Sequence, residues 1–144
     1  MYKRQIWALL LRRGVERGGD GVALTLAAAA VKAATTPTEM TAANAEFIAA
    51  LQAQAGSPRL DAAFRSASRI VSGDFFTVVP GAVDAQRRHV PQIAAAVRRG
   101  EVETAAERAV SLHRAHARSV GRLLAERGVL MSEETPDGAR TKAS

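Results

Sequence analysis

The chain has 144 residues, no cysteine, and a net charge of +6 from 20 basic and 14 acidic side chains. That length suits one domain and buries roughly two thirds of the unfolded surface, enough for a core without staples. Without cysteine, disulfides and thiolate metal sites are excluded; this is compatible with a reducing compartment without establishing one, and the cytoplasm is the expected location.

Alanine is abundant and aromatic residues make up only 4% of the chain. Alanine is the strongest helix former, and the β-branched and aromatic runs that make strands are scarce, so the fold class is all-α. The first five residues, Met1 to Gln5, resemble the translated end of a transposon tag used in sequencing libraries. On that reading they are foreign and the natural start lies upstream; a genuine basic N-terminus is the alternative. Ile6 to Arg17 reads as a short, weakly helical segment, and Gly18-Gly19-Asp20-Gly21 breaks it. Residues 1–21 are thus an expected remnant or linker.

Val22 to about Ala34 reads as an alanine-dominated helix. Its apolar run to Val31, broken by Thr25, is far short of the roughly 20 residues of a membrane span, and no stretch resembles a signal peptide. Thr36 and Glu39 form a capping box with Pro37 at the first helical position, starting a helix that stops at Gly56. Ser57 caps the next, which runs to Val71. Asp74 to Gly81, with Phe75, Phe76 and Pro80, reads as a packed connector, not a strand. A helix from Ala82 to Arg99 contains Pro91, which predicts a kink or restart near His89. Glu101 to Arg127 forms the last helix, and Met131 to Ser144 reads as a disordered tail.

The last helix carries an apolar stripe of Val102, Ala106, Ala109, Val110, Ala117, Val120 and Leu124, and His113 falls inside it. His116 lies one turn further along. His89 stands four residues before Ile93, and Asn44 lies between Met40 and Ile48. Three groups able to bind a ligand therefore point inward from three helices, the way helical bundles build sites. A lone inward histidine is usually a satisfied core residue, and the sequence does not show that the three converge. Enzyme signals are lacking: there is no Gly-rich phosphate loop, His113 and His116 lack the glutamate of a zinc-protease helix, and the carboxylates lie mostly on polar faces.

Three stretches together resemble the FCD family, the ligand-binding domain in the FadR-like branch of GntR-type transcription regulators. The first is Asn44-Ala45-Glu46-Phe47-Ile48 with Ala55-Gly56-Ser57-Pro58-Arg59-Leu60. The second is Gly73 to Ala82. The third runs from His89 through Ile93, Val97 and Gly100-Glu101 to Ala105-Ala106 and Val110-x-x-His113. The resemblance covers about residues 22–130. It implies an antiparallel bundle of about six helices that dimerises and senses a small carboxylate or sugar acid in a central cavity. Many members hold a divalent metal there, through one aspartate and three histidines.

Carried over, Asn44 takes the aspartate position, Ile48 the first histidine and His113 the last. His89 is out of step with the family spacing, and Val90 takes the strict position counted back from Gly100. The metal set would then be His113, His89 and Asn44, with zinc or a similar divalent ion as the cofactor. An amide is a poor ligand for a hard cation, however, and Ile48 cannot ligate. The expectation is a metal-free cavity in which His113, His89, Asn44 and Arg69 orient the acid. Arg69, with Arg65 one turn earlier, also suits a solvated basic face.

The leading reading is a non-enzymatic sensor and homodimerisation domain whose operator DNA is met only by a missing N-terminal winged helix. A freestanding helical interaction module and a non-specific basic DNA binder stand beside it. The few aromatics argue against single-strand stacking.

Overall fold

The computed structural model describes residues 2–18, 21–68 and 73–128. Those residues form seven helices and no strand: α1 (Tyr2–Glu16), α2 (Val22–Ala33), α3 (Pro37–Ala55), α4 (Pro58–Ser68), α5 (Phe75–Val78), α6 (Ala82–Arg98) and α7 (Val102–Glu126). The all-α expectation holds. Arg69, the end of the helix at Val71 and the tail from Met131 lie outside the described residues.

The helix starts follow their local chemistry. Glu39 N–H donates to Thr36 Oγ1 at 3.2 Å, and Thr36 N–H donates back to Glu39 Oε2 at 3.2 Å, closing the capping box. Gly56 ends α3 in the left-handed region at φ 56, which a residue with a Cβ adopts only at a cost. Leu60 N–H donates to Ser57 Oγ at 3.3 Å, as expected of a capping serine. The connector Asp74 to Gly81 contains one helical turn, α5, and no strand.

α6 runs through Pro91 as one helix, so of the kink or restart expected near His89 the restart does not occur. Proline costs the helix one backbone bond. Val90, Ile93, Ala94 and Val97 are buried around it, and α6 packs on both α2 and α7, which holds the helix through the gap.

α1 is longer than its sequence suggested, and it belongs to the bundle. It packs on α3, α4 and α7 and supplies Ile6, Trp7, Leu10 and Leu11 to the core, the two leucines fully buried. They join Leu24, Met40, Phe47, Leu51, Ile93 and Leu112 in one cluster. Each such side chain contributes roughly 1.5–3 kcal/mol by leaving water.

One of two helical faces differs from its sequence reading. In α7 the buried line is Ala105, Ala109, Leu112 and Ser119, about one residue out of phase with the stripe read from sequence. Ala117 of that stripe is exposed, and His113 sits at the edge of the buried face. In α6 the buried face takes in Ala82, Ala85, Gln86, Val90, Ile93, Ala96 and Val97, and His89, four residues from both Ala85 and Ile93, lies on it as expected but does not line the cavity described below. Alanine is the cause in α7: it appears on both sides of that helix and leaves little contrast from which to read the phase.

Candidate functional site

Six of the seven described helices meet around one interior cavity of about 190 Å³. α1 contributes Lys3 and Trp7, α3 contributes Asn44 and Ile48, and α4 contributes Phe64. α5 adds Phe75 and Phe76, α6 adds Gln86, and α7 adds Leu112, His113 and His116. At about 30 Å³ per water the space holds roughly six waters, and a cavity of roughly 150 Å³ elsewhere holds benzene, so this one takes a single ring or its equivalent.

Its polar groups form an ordered chain. His116 Nε2 lies 2.9 Å from Gln86 Oε1, and Gln86 Nε2–H donates to Asn44 Oδ1 at 2.5 Å. Gln86 is buried with both ends of its amide committed. With its nitrogen turned to Asn44, its oxygen accepts from His116, so His116 carries its proton on Nε2. Nδ1 of that ring is then a bare acceptor, sealed from solvent and without a partner. The edges of Phe75 and Phe76 close over the ring, at centroid distances of 5.1 and 6.4 Å. Burial, then the neighbouring His113, Lys3 and His89, pushes the His116 pKa down to about 4.

His113 is set differently. Its Nδ1 lies 2.7 Å from the carbonyl of Ala109, one turn back. A carbonyl can only accept, so Nδ1 carries the proton and Nε2 presents a lone pair. The Trp7 ring meets it edge-on at 5.1 Å and 83°. Burial holds the His113 pKa below its ordinary value, with Lys3 and Arg4 acting the same way and the Ala109 bond opposing them. Lys3 places its Nζ 5.8 Å from the centroid of the Phe64 ring, a cation–π contact, and burial lowers its pKa. Trp7 is buried, and its indole N–H is another orphan.

Asn44 and His113 thus share the cavity. His89 lies outside it, half-buried, with a sealed and unpartnered Nδ1. Its pKa is lowered by burial and by Arg88, Arg108 and Arg118. Gln86 and His116 complete the polar chain, and neither was a candidate from sequence. Gln86 had left a signal: it stands four residues before Val90 and seven before Ile93, a polar residue in the middle of an apolar stripe.

The residues present do not fit the metal that the resemblance implies. The Asn44 oxygen is taken by Gln86, Ile48 offers no donor atom, and His89 is elsewhere. Among the described residues no group of three His, Asp or Glu side chains could hold a metal ion.

A larger groove of about 460 Å³ runs along the surface between α2 and α6, lined by alanines with Lys32, Arg98 and Arg99 at its edge. It holds no imidazole and no buried orphan atom, so the chemistry is concentrated in the interior cavity. No helix among the described residues is long and apolar enough to cross a membrane. Set against family models, curated proteins and solved structures, the chain matches none of them.

Proposed function

We propose that this chain is the effector-sensing and dimerisation domain of a GntR-type DNA-binding regulator, of FCD type, and that the interior cavity receives a small organic acid. One observation carries the proposal. Asn44, Ile48 and His113, the positions that the resemblance sets around the effector, come from α3 and α7 and line one cavity. The site is read as binding its ligand, with His113 and Asn44 as polar contacts and Lys3 as the cation for a carboxylate. No metal takes part.

Six helices wall the cavity, so a ligand that fits one arrangement of them better than another shifts their populations. In the full regulator that shift passes to a winged-helix domain, which meets the operator. Thermal melts against a panel of small organic and sugar acids test the proposal, because a ligand held only by the folded state raises stability by mass action. At least one acid should raise Tm in a saturable way; a flat panel counts against the sensor.

A second reading rests on a different surface. α2 leaves Val22 55% and Leu26 67% exposed, with Ala29 and Ala33 exposed further along. That face favours a helical dimerisation module without an effector. Sedimentation of the wild type and of Leu26→Glu separates the roles: a sensor that dimerises elsewhere stays dimeric, whereas a module built on α2 becomes monomeric.

A further inference from the structure

The cavity specifies more about its ligand than its size. His113 forms part of its wall, and also part of a shallower recess lined by Lys3, Arg4, Arg114 and Ala117. The Ala109 carbonyl fixes the proton on Nδ1, so Nε2 faces outward from that bond as a lone pair. Nε2 takes no hydrogen bond from the described residues. His113 borders both spaces, so a ligand seated in either meets this ring. The lining offers Nε2 no hydroxyl; the His116 N–H is committed to Gln86, and the Trp7 indole N–H makes no hydrogen bond to it. A ligand that fills the cavity without meeting this lone pair strips it of water and gives nothing back, which is costly.

On the reading of the cavity as an acid-binding effector site, we infer that the acid carries a hydroxyl group that donates a hydrogen bond to His113 Nε2, on a body the size of one aromatic ring. The aromatic walls Trp7, Phe64 and Phe75 suit the faces and edges of such a ring. Lys3 is the cation in the lining and stands at the boundary with the outer recess, where Arg4 and Arg114 add positive charge; the carboxylate belongs at that end. No carboxylate side chain lines either space to compete for the cations. Discrimination thus comes from a histidine whose tautomer is dictated by its own helix, with no metal involved.

Three probes of nearly the same shape isolate the donor: 4-hydroxybenzoate, 4-methoxybenzoate and benzoate. Each is titrated calorimetrically into the whole chain at pH 7.5. The hydroxyl compound should bind at least about fivefold tighter than either of the others, the discrimination expected for one buried hydrogen bond. In His113→Phe, which keeps the ring and removes the lone pair, that preference should vanish. In His113→Gln, whose amide oxygen still accepts, part of it should return. Equal affinities in the wild type, a tighter methoxy compound, or a hydroxyl preference that survives in His113→Phe would each overturn the inference. If none of the three binds but another acid raises Tm, the inference falls and the effector site stands. If no acid binds at all, the effector reading falls with it.

Discussion

Gln86 and His116 hold each other across α6 and α7, with 2.9 Å between Oε1 and Nε2, while the other end of the Gln86 amide reaches Asn44 on α3 at 2.5 Å. One side chain thus ties three helices together at the cavity wall. Gln86→Leu keeps the bulk and strands two part-buried polar groups, on Asn44 and His116. A loss of about 1–3 kcal/mol is expected, seen as a lower urea midpoint with an unchanged slope. A neutral Gln86→Leu would mean that the amide does not tie the helices.

The histidines give stability a pH dependence with a definite sign. His116 titrates near 4 when folded, against an ordinary value of 6.5, because burial and its cationic neighbours oppose its charge; His113 and His89 are lowered too. The unfolded chain therefore binds protons first as the solution is acidified. Stability from these groups is whole above pH 6.5 and drains away as the pH falls towards 4. His116 alone contributes on the order of 3 kcal/mol across that window. Urea midpoints measured from pH 7.5 to 4.5 should fall steadily, and His116→Phe should flatten the decline. A wild-type midpoint that is level over this range would contradict the neutral, buried imidazole.

α1 is a wall of the bundle, and its leucines separate that role from a linker's. Leu10 is fully buried, whereas Leu9 is 50% exposed. Leu10→Ala should cost about 2–5 kcal/mol in chemical denaturation. Leu9→Ala should stay within about 0.5 kcal/mol. Equal effects would place α1 outside the core.

The residues show why some of this was legible beforehand and some was not. Helix ends were readable because capping is local: Thr36, Glu39, Pro37, Ser57 and Gly56 act on neighbours a few residues away. The face of α7 was less so, because alanine lines both sides and a one-residue error in phase moves a side chain by roughly 100°. In α6 His89 does lie on the apolar side, but spacing alone did not show that Gln86, and not His89, reaches the cavity. The inward face of His113 was legible, but its tautomer depends on the Ala109 carbonyl, and no spacing rule reveals that bond. Trp7 and Lys3 were missed as cavity residues because the segment that carries them looked weakly helical and its first residues foreign.

The donor set at the cavity also makes the response to metal testable. With the Asn44 oxygen committed to Gln86 and Ile48 beside it, chelation should leave Tm unchanged, and a modest excess of zinc should not raise it. A Tm that drops in EDTA and recovers with zinc would show that a divalent ion is bound after all.

Trp7 offers the most direct view of the central claim, since it is the single tryptophan of the chain and it lines the cavity. Its fluorescence should be followed while each acid that raises Tm is titrated into the protein. A saturable change whose midpoint matches the calorimetric affinity, and which weakens in His113→Phe, is the expected result. An acid that stabilises the protein but leaves Trp7 unmoved, or a panel in which nothing binds, would contradict an effector site between α1, α3, α6 and α7.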